Sequence, residues 1–203
     1  MTTNQAPRPA SPATAHAAPV PVPVNRLGVL ARETGLVLAG TAAIALIGQV
    51  AVPLPFTPVP ITLGTLAALG VGAVLGSRRG VVSALLLAVL AAVGAPVLAG
   101  WTSGMTATFG YVLGYALVAA VAGRAAADWR GDRPTAVRAL RSVALMLVAS
   151  ALIYVPGLLW LKAATAAPWA TVLAMGLAPF VVGDVLKSLV AAGIAPLRGA
   201  LHR

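Results

Sequence analysis

The chain has 203 residues, 60% of them hydrophobic and 9% charged, with a mean hydropathy of +0.95. Soluble domains do not reach that balance, so the composition specifies an integral membrane protein. The formal net charge of +10 does not point to nucleic acid, since no basic stripe is interleaved with aromatic residues, and the zero cysteines exclude disulfides and thiolate metal sites.

Residues 1–28 hold Pro7, Pro9, Pro12, Pro19, Pro21 and Pro23 among alanines, which prevents a continuous helix or sheet. The expectation is a disordered cytoplasmic tail over 1–28 and a membrane domain over 29–203. The tail lacks the basic n-region and unbroken apolar run of a signal peptide, so the first spanning helix should itself direct insertion. His16 in the tail and His202 at the far end are not placed for catalysis or metal binding.

Apolar runs follow at about 33–52, 60–76, 80–99, 107–127, 142–162 and 169–197, six spans in all. The second is short for the ~20 residues a bilayer crossing needs, and the last is long enough to tilt or to begin irregularly. The two arginines of Gly76-Ser77-Arg78-Arg79-Gly80 split the stretch from 60 to 99, because either would be costly at the bilayer centre. Arg8, Arg26, Arg32, Arg78, Arg79, Arg124, Arg130, Arg133, Arg138, Arg141, Arg198 and Arg203 fall on one side of this six-span order, and only Lys162 on the other. The asymmetry places both termini in the cytoplasm and accounts for the charge, with some attraction to anionic lipid.

The breaks on the outer side are uncharged. Val52-Pro53-Leu54-Pro55-Phe56-Thr57-Pro58-Val59-Pro60 is too rich in proline for a helix, so it should be extended and serve as lid or wall of an outward-facing pocket; an inert stiff connector is the plainer alternative. Gly100-Trp101-Thr102-Ser103-Gly104-Met105-Thr106-Ala107-Thr108-Phe109-Gly110-Tyr111 combines close backbone approach, hydroxyls and flat apolar surface, which suits an uncharged or weakly charged organic ligand. Trp101 and Tyr111 could equally belong to an interfacial aromatic belt.

The last run contains Pro179-Phe180-Val181-Val182-Gly183-Asp184-Val185-Leu186-Lys187, with an acid and a base three residues apart and no other charge nearby. On a helix the two side chains share a face, one turn apart. A charge at membrane depth costs about 2.5–3.5 kcal/mol, so such residues ordinarily face a cavity and serve a ligand, an ion or a proton. The competing reading is a salt bridge that only holds helices, though apolar residues could replace such a pair at little loss. Small residues recur at four-residue spacing at Ala39 and Ala43, at Gly72, Gly76 and Gly80, and at Gly110 and Gly114, which permits close helix packing or docking of a partner.

Much chemistry is missing. No G-x-x-x-x-G-K-[ST] loop occurs, so the chain cannot hydrolyse ATP by itself, and the spans hold no histidine and one acid, too little for an intramembrane hydrolase or a metal site. A proton-coupled carrier stays open at Asp184 and Lys187, but six spans without a visible repeat are few for alternating access by one chain.

Four stretches, in order, resemble the biotin-specific substrate-binding subunits (S components) of energy-coupling factor transporters, the BioY family. They are the proline-rich segment continued to Ile61-Thr62, the Gly76 to Gly80 stretch, Thr108-Phe109-Gly110-Tyr111-Val112-Leu113-Gly114, and Pro179 to Lys187; the resemblance covers roughly 36–195. The chain departs from that pattern at Ala107, where the family often has proline, and at Phe109, where glycine is frequent. The resemblance implies six transmembrane helices, high-affinity biotin binding in an outward-facing pocket, no catalytic chemistry, and no cofactor. It also implies partners: a membrane coupling subunit and two ATPase subunits, which alone use ATP, docked in part through small residues of the first helix, here Ala39 and Ala43. Some members are thought to transport alone or as homo-oligomers, so that mode stays open.

The expectation is therefore an all-α, six-helix S component in a bacterial-type cell membrane that binds biotin for uptake. Asp184 and Lys187 should carry the polar recognition, with walls from Phe56, Thr57, Trp101, Thr108 and Tyr111. The ureido group offers two N–H donors and one carbonyl; Asp184 can accept from the donors and Lys187 can donate to the carbonyl or to the valerate carboxylate. The alternatives are an S component for another vitamin, a solitary proton-coupled carrier, or a structural subunit whose Asp-Lys pair only locks helices.

Overall fold

A computed structural model describes residues 26–130 and 134–197. The described residues form eight α-helices: α1 (Arg26–Ile47), α2 (Gly64–Leu75), α3 (Ser77–Ala92), α4 (Phe109–Ala127), α5 (Thr135–Leu152), α6 (Tyr154–Thr165), α7 (Trp169–Gly176) and α8 (Val181–Ile194). The two-residue strands β1 (Ala51–Val52) and β2 (Ile61–Thr62) pair antiparallel between α1 and α2. The first 25 residues of the expected tail lie outside the described residues, and its end from Arg26 is already helical.

The fold is the all-helical membrane fold expected, but its six apolar runs become eight helices. Run 142–162 is split at Ile153 into α5 and α6, and run 169–197 breaks between α7 and α8, which lie at 45° to each other. Among the described residues, Arg26–Ile47, Phe109–Ala127 and Thr135–Thr165 are long and apolar enough to cross a bilayer, and α7 with α8 passes only as a bent pair. The 12 residues of α2 fall short of a full crossing, because at 1.5 Å per residue they rise only ~18 Å. The paired strands and the loop between them fill out that end of the molecule.

Helix α4 is the central rod and packs against α2, α3, α5 and α6. Small residues bring these backbones together. A Cβ on Gly72 would strike the Ala119 backbone, one on Gly110 the Pro156 carbonyl, one on Gly114 the Ile153 side chain, and one on Gly123 the backbone of Ser77. The glycine spacing thus serves internal packing. On α1 the packed face is Gly40, Thr41, Ile44 and Ala45 rather than Ala39 and Ala43: Thr41 Oγ1 donates to Ser83 O at 3.0 Å and Ser83 Oγ to Val37 O at 3.0 Å. Ala39 is exposed and Ala43 half-buried, on the least covered of the long helices.

The far end of the bundle, where α1 and α3 begin, is charged. Arg79 donates to Glu33 through Nε at 2.7 Å and Nη2 at 2.5 Å, which ties α3 to α1. Arg141 pairs with Asp128 at 3.0 Å, and Trp129 Nε1 donates to Ser142 Oγ at 2.7 Å, which ties the link after α4 to α5.

Candidate functional site

The end opposite those arginines holds a cavity of about 480 Å³, within the range of small-molecule sites. Its outer wall is loop: Pro58 to Pro60 and Thr62 on one side, Val97 to Ala99, Thr102 and Thr106 to Thr108 on the other. Its floor is helical, with Ile44 from α1, Thr65 from α2, Leu87 from α3, Tyr111, Val112 and Tyr115 from α4, and Asp184 and Lys187 from α8.

The break between α7 and α8 builds the polar part. A helix that stops inside the bundle leaves its last carbonyls without intrahelical partners, and in apolar surroundings each must find a donor. Thr57 Oγ1 donates to Met175 O at 2.9 Å and Tyr111 Oη to Gly176 O at 2.8 Å, so the end of α7 is satisfied by the proline-rich loop and by α4. Helix α8 then restarts with Phe180 against the cavity and Asp184 in its first turn, where a carboxylate complements the helix dipole.

Asp184 and Lys187 are both buried, and Lys187 Nζ donates to Asp184 Oδ1 at 2.9 Å. Tyr154, the first residue of α6, donates its hydroxyl to the other carboxylate oxygen, Oδ2, at 2.5 Å. The Tyr154 ring meets that of Tyr111 edge-on, with centroids 6.4 Å apart. Behind them Ser188 Oγ donates to Asp184 O at 2.7 Å or to Met146 O at 3.2 Å, and contacts Ser150 Oγ at 2.7 Å, which fixes α8 on α5. Each carboxylate oxygen has two acceptor sites, so Asp184 keeps capacity toward the cavity, and the Lys187 ammonium keeps donors to spare. The arrangement can receive a neutral group that carries both donors and an acceptor, or a carboxylate at the lysine.

The residues expected from the sequence separate into two groups. Asp184, Lys187, Thr108 and Tyr111 line the cavity together. Phe56, Thr57 and Trp101 are not among its lining residues. Phe56 and Trp101 are 60% and 58% exposed, and the Thr57 side chain serves as the anchor to α7. The proline segment is not extended throughout: its ends are paired as strands and a turn lies at Pro55–Phe56 between them. Tyr154, Tyr115, Thr62 and Thr65 are additional lining residues. Nothing in the spacing signals Tyr154, which sits in an apolar run and meets Asp184, 30 residues further on, only because α8 packs on α5, the helix that Tyr154 follows. Among the described residues there is no group of three or more metal-ligating side chains.

The chain matches the model of the family described as "BioY family" over residues 14–203. No curated protein matches it. Among solved structures it is similar to the 2.1 Å crystal structure of the S-component for biotin from an ECF-type ABC transporter, at 22% identity and a TM-score of 0.70, over 87% of this chain and 94% of that one. At that identity the likeness shows the fold.

Proposed function

The chain belongs to the BioY family of membrane proteins, and on that premise we propose that it binds biotin in the cavity beneath its two loops and serves biotin uptake. The observation that carries the reading is the Tyr154–Asp184–Lys187 cluster, an acceptor and a donor side by side at the foot of an otherwise apolar and hydroxyl-lined cavity. A ureido ring presents two N–H donors beside one carbonyl, which Asp184 and Lys187 complement without any net charge being buried. Thr57, Phe56 and Trp101 contribute to the loops that enclose the ligand, Thr57 through its anchor on α7.

The basic far end lies in the cytoplasm with both termini, the cavity opens outward, and the membrane is a bacterial-type cell membrane; the arginine asymmetry supports this orientation. Having no phosphate-binding loop, the chain draws on a coupling subunit and ATPase subunits. The little-buried outer face of α1, with Ala39 exposed on it, offers that partner a flat, close surface. Equilibrium binding of labelled biotin to the purified chain, with riboflavin and thiamine as competitors, tests the ligand. Displacement by unlabelled biotin alone is the expected result, and no binding to a folded sample overturns the reading.

A further inference from the structure

The loop from Ala95 to Thr102 supplies Val97, Leu98, Ala99 and Thr102 to the cavity wall. Its first half is seated by packing, since Leu98 is buried among core side chains with Val97 against it, whereas the turn that follows, with Gly100 and Trp101 exposed, has little packing to hold it. Leu98 and Thr102 form a single antiparallel bridge, with Leu98 N donating to Thr102 O at 3.0 Å. Between them Gly100 and Trp101 both have positive φ, 69° and 57°. Glycine adopts that conformation freely, but a bulky L-residue such as Trp101 does so only against a steric penalty, and it persists where neighbours hold it. The Trp101 side chain is 58% exposed and offers little packing to hold it.

The holding contact comes from Gln49, two residues past the end of α1. Its Nε2 donates to Leu98 O at 3.0 Å and to Ala45 O at 3.0 Å, and its Oε1 accepts from Trp101 N at 3.1 Å. One amide therefore grips both arms of the turn and the last turn of α1, and it does so through both of its polar ends, as a neighbouring peptide unit would. Ile44 in the last turn of α1 and Gly48 just after it line the same cavity.

We propose that Gln49 is a positioning residue for the ligand site: its side-chain amide latches the 98–102 turn over the cavity and holds Trp101 in its left-handed conformation, so that the turn opens when this amide lets go. The inference rests on the reading of the cavity as the ligand site, but the latch has its own test. Neither alanine nor glutamate can reproduce it. Alanine removes both contacts, and a glutamate carboxylate has nothing to donate to Leu98 O while it meets that carbonyl with an oxygen.

The chain has no cysteine, so Ala99→Cys creates a single thiol on the latched loop. Its reaction with a membrane-impermeant maleimide is followed in the purified protein without ligand, in the parent and with Gln49→Ala or Gln49→Glu. Labelling should accelerate about tenfold in both, the change that loss of about 1.4 kcal/mol of loop closure produces. A Ser142→Cys reporter, buried at the opposite end of the bundle, should keep its rate. Biotin should also dissociate faster from both variants. Unchanged labelling of Ala99→Cys in folded Gln49→Glu protein, which preserves side-chain size where alanine could unfold the chain, overturns the latch. Equal acceleration at both reporters overturns it too, as a general loosening. Failure of biotin to bind the parent overturns the ligand reading and leaves the labelling result standing.

Discussion

Two ion pairs lie at opposite ends of this protein and differ in almost every respect. Glu33 and Arg79 join two helices through two parallel hydrogen bonds, with side chains 39% and 25% exposed. Asp184 and Lys187 lie one turn apart on α8, with side chains 9% and 10% exposed. The first pair has an evident structural use, since it clamps α1 to α3 where water can solvate what the pair does not. The second joins no helices by itself. Taking two charges out of water costs several kcal/mol per ion, about as much as their attraction returns, so a pair that only filled space gains little from being there. Burial beside a cavity, rather than the salt bridge itself, is what supports the proposed recognition site.

The sharpest way to break this contrast is to remove one charge from the buried pair. Asp184→Asn and Lys187→Met should each weaken biotin binding about a hundredfold, in line with the ~1.5–3 kcal/mol of a hydrogen bond to a charged group. Each also strands the partner's charge, at a cost of about 3–5 kcal/mol, seen as a lower melting temperature in detergent. The double variant should regain most of that stability and none of the binding. Full binding by the double variant, or parent-like affinity of both single variants, would make the pair a mere helix lock.

Tyr154→Phe should have a smaller effect. It removes the donor to Asp184 Oδ2 and keeps the edge-on ring contact with Tyr111, so affinity should fall about fivefold, the equivalent of about 1 kcal/mol for one hydrogen bond. Titration of labelled biotin would show it, and an effect as large as that of Asp184→Asn would give Tyr154 its own bond to the ligand. Smallest of all should be Arg79→Gln, which breaks only the partly exposed pair and should change biotin affinity less than twofold in the same titration.

Much of this was readable from residue order because membrane burial makes polar residues conspicuous. A single acid in a long apolar run is itself a signal, and helix periodicity places Lys187 beside Asp184, as the 2.9 Å contact shows. Length and apolarity likewise mark the runs. Where two of the runs break, length and apolarity are silent but proline is not: Pro156 cannot donate to the carbonyl of Leu152, which ends α5 just before the joint at Ile153, and Gly176 and Pro179 bracket the interruption between α7 and α8. Loops were the least legible. Which face of an irregular segment turns inward depends on partners far along the chain, such as Met175 for Thr57 and Gln49 for the Trp101 turn, and no local pattern encodes them. Phe56 and Trp101 look like wall residues because they are aromatic, and both turn outward.

The ring of Tyr111 is seated between two residues that have no side chains. A methyl on Gly157 would collide with its ring carbons and one on Gly176 with its hydroxyl. The bore of the cavity on that side is thus gauged from behind, by positions that never meet a ligand. A side chain at either position would have to displace that ring, so the width of the cavity depends on two backing residues that do not line it.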